Sequence, residues 1–159
     1  MTATLLVVLF ARSGTAAEAW AVVPLLVVFA SVAVLDVTAR LIPDIITLPG
    51  LAYAVLLAAL LHKPPLGRSL LGIAIAGGLA LLFAIATRRG LGGGDVKLMG
   101  ALGAALGWDG ALVAFLVAHL AGALTIVGVL VIRRRWPDAR FPIGAFIAVA
   151  GAVILATRG

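Results

Sequence analysis

Two aspartates, Asp36 and Asp95, are the residues of this sequence best suited to chemistry. Asp95 follows three glycines at the start of an apolar run, and Asp36 ends another apolar run. Two carboxylates a few ångströms apart can share one proton, because mutual repulsion opposes the ionisation of both. The ionised acid can then take a proton from a water molecule that attacks a peptide carbonyl, while the protonated acid polarises that carbonyl. This chemistry is peptide hydrolysis without a metal ion or a cofactor.

The composition is that of a membrane protein. The 159 residues are 64% hydrophobic and 11% charged, with a mean hydropathy of +1.27, against roughly 25% charge in soluble proteins. The chain has no cysteine, and His62 and His119 lie in different segments, so no metal site is expected. The net charge of +6 comes from short clusters between apolar runs, which disfavours a nucleic-acid partner.

The apolar runs predict an all-α polytopic fold with about six transmembrane helices in one domain, residues 16–159. Residues 1–15 are predicted to form an N-terminal extension or interfacial stub, since their apolar run is too short to span. Glycines in the third and fourth runs, including a GxxxG pair at Gly103 and Gly107, predict close helix packing. The predicted helices cover residues 16–35, 45–61, 69–86, 95–108, 111–132 and 141–156.

The basic residues predict the orientation. Eight of them flank the loops after helices one, three and five, against four on the other side, so these loops are expected in the cytoplasm and both termini outside. Asp36 and Asp95 then converge at the cytoplasmic face of the cell membrane, and residues 133–135 are expected to bind anionic lipid headgroups. The eight basic residues are Arg40, Arg88, Arg89, Lys97, Arg133, Arg134, Arg135 and Arg140.

Each polar residue near the acids also has a structural interpretation. Asp36 and Asp95 can be helix-boundary residues in contact with headgroup water. Asp44 is expected to cap the second helix or order its loop, and Lys97 to face away from Asp95 and reach the headgroups, with substrate or loop contact as its alternative. His119 is expected about 20 Å from the cytoplasmic end of its helix, bonded to a neighbouring helix as a neutral side chain.

Three segments resemble one family. Residues 92–95, Gly-Gly-Gly-Asp, match the GxGD motif of the type IV prepilin peptidases, which are membrane-embedded aspartic proteases, and the match continues through Val-Lys-Leu. Residues 36–44 resemble the segment that holds the first catalytic aspartate of that family, with Thr-Leu-Pro following at 47–49. Residues 141–146 resemble a third, weaker segment.

The resemblance implies an aspartic endopeptidase that removes leader peptides from prepilins or pseudopilins. It implies that Asp36 and Asp95 are catalytic, and that neighbouring residues shape the loops or bind substrate. The chain lacks the cysteine-bearing N-terminal region of the longer family members, so it is similar to the short peptidases of tight-adherence pili and archaeal preflagellin systems, and methyl transfer is not expected. The loop-shaping or substrate-binding candidates are Gly92, Gly93, Gly94, Lys97, Asp44 and Pro43.

Two other functions remain open from the residues. In a small transporter or channel, Asp36 and Asp95 would bind a cation or a proton within a path lined by helices. In a silent assembly subunit, both acids would tolerate replacement.

Overall fold

The computed structural model describes residues 16–87, 91–133 and 142–158, together with Thr4, and all regular structure in these ranges is helical. The predicted interfacial stub and the side chains of the predicted basic clusters at 88–89 and 133–140 lie outside the described part. The elements are α1 (Ala16–Ala39), α2 (Asp44–Leu61), α3 (Leu66–Gly72), a π-helical segment (Ile73–Gly77), α4 (Gly78–Thr87), α5 (Gly93–Arg133) and α6 (Ile143–Arg158).

Four helical stretches of the described part are long and apolar enough to cross a membrane: Glu18–Ala39, Asp44–Leu61, Leu66–Ala86 and Gly93–Ile132. A shorter apolar helix, Ile143–Thr157, follows them. The prediction of an all-α polytopic membrane protein is therefore confirmed, whereas the number of six spans is not. The first helix also continues four residues beyond its predicted end at Leu35, to Ala39.

The long helix α5 is a hairpin of two arms. At Gly107 the backbone leaves helical geometry, with φ 75° and ψ 173°, a conformation that glycine adopts at no steric cost. The first arm, residues 93–106, has 14 residues and is about 21 Å long at 1.5 Å per residue. The return arm is residues 108–133. The turn coincides with the predicted boundary between the fourth and fifth helices, so Gly107 turns the chain and does not form the predicted GxxxG pair with Gly103.

Side-chain contacts establish the direction of each arm. The first arm is antiparallel to the run from α3 to α4, as contacts in opposite chain order show: Ser69 with Ala104, Gly72 with Gly103, and Gly77 with Gly100. The return arm is parallel to that run, because Arg68 pairs with Asp109 while Phe83 contacts His119 further along. The hairpin therefore returns the chain to the level at which α5 begins.

The α3 helix and the first arm pack backbone to backbone, as the glycine pattern predicted. A Cβ atom added to Gly72 would lie 2.1 Å from the carbonyl oxygen of Gly103, so neither position can hold a side chain. The buried Ser69 hydroxyl donates a hydrogen bond of 2.8 Å to the Ala104 carbonyl. Such contact between small residues is a main source of helix association in lipid.

At the end of the molecule near the Gly107 turn, two ion pairs join neighbouring segments. Lys63 lies 3.1 Å from Glu18, and Arg68 lies 2.6 Å from Asp109. All four residues are far along their helices from Asp36 and Asp95. The two acids are therefore at the opposite end of the bundle from these surface pairs.

Replacing Gly72 by alanine should destabilise the protein, because its Cβ atom would overlap the Gly103 backbone. We expect a loss of about 1–3 kcal/mol or more and a lower melting temperature of the detergent-solubilised protein. Gly78→Ala is the matched control, since it lies in the same helical run with no atom within 4 Å of its Cβ position. Equal melting temperatures for the two variants would contradict this packing.

Candidate active site

Asp36 lies in the last turns of α1 and faces the beginning of α6. Its Oδ2 atom accepts a hydrogen bond of 2.7 Å from the backbone N–H of Ala145, in the first turn of α6. The residue is only 8% exposed. Backbone N–H groups at a helix N-terminus are unpaired within their own helix and carry partial positive charge. The Asp36 carboxylate therefore caps α6 from another helix and receives electrostatic stabilisation there.

Asp95 lies in the first turn of α5, where its own backbone holds it. The helix begins at Gly93, and the Oδ2 atom of Asp95 accepts a hydrogen bond of 2.9 Å from the Gly92 N–H. A side chain at the third helical position that reaches back to the N-cap residue is one half of a capping box. The other oxygen, Oδ1, is buried and has no hydrogen-bond partner among the described residues.

The two acids meet at Gly144. The point that a Cβ atom of Gly144 would occupy lies 2.6 Å from Asp95 Oδ1 and 2.9 Å from Asp36 Oδ2. The two carboxylate oxygens are therefore no more than 5.5 Å apart, the sum of those distances. The structure thus brings together the two residues that the sequence singled out. It also adds Gly144, whose only sequence signal was its place in the weak segment 141–146.

Ile42 forms the wall of the site between the two acids. A Cβ atom on Gly94 would lie 2.7 Å from the Ile42 Cβ, and one on Gly144 would lie 2.6 Å from the Ile42 Cδ1. Both glycines are therefore required by the same buried side chain. By contrast, a Cβ atom on Gly93 would contact nothing within 4 Å, and one on Gly92 would only reach Asp95 Oδ2, at 3.4 Å.

Asp44 and Lys97 lie beside the pair rather than in it. The Lys97 Nζ donates a hydrogen bond of 2.6 Å to Asp44 Oδ2, with both side chains partly exposed. The capping expected of Asp44 does not occur, because Pro43 occupies the N-cap position of α2 and no side-chain cap bond is present. Lys97 likewise pairs with a carboxylate rather than only extending to headgroups. The ion pair joins the loop that contains Pro43 to the first arm of α5.

His119 lies closer to Asp95 than the sequence predicted. Both residues are 12 positions from Gly107, about 18 Å along their arms at 1.5 Å per residue, and the two side chains interact electrostatically. The predicted depth was measured from the far end of the return arm and ignored how short the first arm is. The expected bond to a neighbouring helix is also wrong, since Nδ1 lies 2.8 Å from the Phe115 carbonyl oxygen of its own helix.

An apolar cavity of about 520 Å³ adjoins the acids, between α1, the return arm of α5 and α6. Its lining includes Val37, next to Asp36 in the chain, and Ala145, whose N–H binds the Asp36 carboxylate. Ala118, next to His119, lies on its opposite wall. The cavity can hold apolar groups within reach of the acid pair.

Fold and site together define a polytopic membrane protein in which two carboxylates from different helices meet at the N-terminus of a third. Residues 21–127 match the type IV leader peptidase family. The chain therefore belongs to this family.

Curated relatives carry the name prepilin leader peptidase/N-methyltransferase. The protein of Aeromonas salmonicida is 36% identical over 127 residues, which is 76% of this chain and 43% of the relative. The protein of Pseudomonas putida is 33% identical over 146 residues, 88% of this chain and 50% of the relative. The chain thus spans about half the length of the curated relatives it matches. No solved structure was found to match it.

Alanine at Gly94 should disturb the site, whereas alanine at Gly93 should not. The Gly94 Cβ atom would overlap Ile42 and part the loop from α5, which we expect to cost about 1–3 kcal/mol. Thermal melting of both variants in detergent checks this, with Gly93→Ala as the control of matched chemistry. A Gly93→Ala variant as unstable as Gly94→Ala would show that the glycine run serves another purpose.

Proposed function

We propose that this protein is an aspartic endopeptidase that cleaves the leader peptide from prepilins or pseudopilins, with Asp36 and Asp95 as its catalytic pair. The observation that carries the proposal is the approach of the two carboxylates to within 5.5 Å in a member of the type IV leader peptidase family. A separation of this size allows one water molecule to contact both acids. The names of the curated relatives support the substrate class, and methyl transfer is not part of the proposal.

The surroundings of the two acids suggest different roles for them. Asp36 receives the Ala145 N–H at a helix N-terminus, an environment that favours its ionised form. Asp95 has one buried oxygen without a partner, and burial without a partner favours the neutral form. In the proposed mechanism, Asp36 therefore acts as the base and Asp95 as the acid.

The bond-making steps follow from these roles. Asp36 takes a proton from the water molecule, whose oxygen forms a bond to the carbonyl carbon of the scissile peptide. Asp95 donates its proton to the carbonyl oxygen, so a neutral tetrahedral diol forms. The diol then collapses as the C–N bond breaks, with a proton transferred from Asp36 to the leaving amine and one from the diol returned to Asp95. Both acids recover their starting states.

The neighbouring residues would present the substrate. Gly92, Gly93 and Gly94 leave backbone open beside Asp95, which suits an extended peptide. Pro43, Asp44 and Lys97 form the partly exposed edge of the same loop cluster. We place this edge at the cytoplasmic face of the cell membrane, and both chain ends outside, on the distribution of basic residues in the sequence. Membrane lipid would surround the remaining helix faces.

Replacing either acid by asparagine should abolish cleavage. Asparagine is nearly isosteric and its carbonyl oxygen can still accept the Ala145 or Gly92 N–H, so the fold should persist. Loss of a catalytic acid or base costs about 10²- to 10⁴-fold in rate. Co-expression with a prepilin from the same cell, followed by a gel-shift assay, measures processing of the precursor by Asp36→Asn and Asp95→Asn.

Asp109→Asn is the control for this experiment, because Asp109 lies on the same helix as Asp95 but at the Gly107 end. It should process the precursor at the wild-type rate. Normal processing by either active-site variant would refute the proposed pair. Proton flux in liposomes without any cleavage by the wild-type protein would instead favour the transporter.

Gly144→Ala should slow cleavage without removing either acid. Its Cβ atom would displace Asp95 Oδ1 by about 0.8 Å, from 2.6 Å to an ordinary contact of 3.4 Å. Displacements of about 1 Å in an active site can lower the rate about hundredfold. The measurement is kcat on a purified prepilin. Gly128→Ala is the control, since it has open space at its Cβ position, and equal rates for the two variants would contradict the role of Gly144.

A further inference from the structure

Two buried side-chain atoms have no hydrogen-bond partner within the described ranges: Asp95 Oδ1 and His119 Nε2. Buried polar groups are almost always paired, either with protein or with ordered water. Both atoms belong to residues at the same level of the hairpin, 12 positions from Gly107 on either arm. The two side chains also interact electrostatically. Their shared lack of a partner therefore has one economical solution, which is a link between them.

The His119 ring is held so that Nε2 is its free atom. Nδ1 lies 2.8 Å from the Phe115 carbonyl oxygen, and because a carbonyl only accepts, Nδ1 must carry the hydrogen. In the neutral ring, Nε2 is then an acceptor. The ring packs against Phe115 at a centroid distance of 3.9 Å and meets Phe83 edge-on at 5.7 Å. These contacts fix the direction of the Nε2 lone pair.

We propose that His119 is a positioning residue for Asp95, acting through one bridging water molecule between Nε2 and Asp95 Oδ1. The inference rests on the proposed function, in which Asp95 is the protonated acid. A proton on Oδ1 would be donated to this water, and the water would donate to Nε2. Two polar partners are enough to hold a buried water. The link orients the carboxyl group of Asp95 and keeps its proton on the oxygen nearest Asp36.

The test compares His119→Phe with His119→Gln in the prepilin assay. Phenylalanine keeps the ring contacts with Phe83 and Phe115 but removes Nε2, so kcat should fall about 10- to 100-fold, the range for loss of one hydrogen bond to a polar active-site group. KM should stay within about twofold, because the link acts on the reacting acid rather than on substrate binding. Glutamine should recover part of the loss, since its amide can contact the water. His62→Gln, at the C-cap of α2, is the control and should change nothing.

An infrared measurement separates this inference from the proposed function. The carboxyl stretching band of Asp95, identified as the band that vanishes in Asp95→Asn, should shift in His119→Phe and shift less in His119→Gln, without any substrate. A shift in a wild-type protein that cleaves no prepilin would refute the proposed function and leave the link standing. Unchanged kcat in His119→Phe, or lowered kcat with an unchanged band, would overturn the link. If His119→Phe fails to accumulate, the band of His119→Gln decides in the same way.

Discussion

The candidate site depends on one contact, the approach of the Asp36 carboxylate to the N-terminus of α6. A carboxylate near the end of a membrane-crossing helix requires compensation for lost hydration. The Ala145 N–H supplies a hydrogen bond of 2.7 Å, and the helix supplies the favourable end of its dipole. In return, the carboxylate satisfies a donor that α6 leaves unpaired. The last helix is thus positioned by the same group that is proposed to activate water.

The glycines around the acids are required for different physical reasons. Gly144 has no space for a side chain because two carboxylates and Ile42 surround it, and Gly94 has none because Ile42 lies against it. Gly92 contributes its N–H to Asp95, a role that any residue except proline could fill. Gly93 has open space. The GxGD pattern therefore has a steric explanation at its second glycine and a hydrogen-bonding one at its first, while its variable position is the open one.

The sequence was sufficient for the helical fold and for the convergence of Asp36 and Asp95, because both depend on apolar run lengths and on which loops share a side. It was insufficient for His119. Its depth was measured from one end of a helix, and only the φ angle of Gly107 and the 14-residue first arm show that the chain turns back level with Asp95. Gly144 and Ile42 were missed for another reason. Their importance comes from contacts between segments about 50 to 100 positions apart, to which no local pattern responds.

The short first arm of α5 has a consequence for the supply of water. The exposed Arg68–Asp109 pair and Trp108 mark the Gly107 turn as an interfacial end of the molecule. Asp95 lies only about 18 Å from that turn, whereas the hydrocarbon core of a typical bilayer is about 30 Å thick. The acids would therefore lie about 12 Å below the opposite surface of an undisturbed bilayer. Hydrolysis at that depth requires the bilayer to thin beside the first arm or the protein to hold a hydrated recess there, so membrane thickness becomes a physical determinant of turnover.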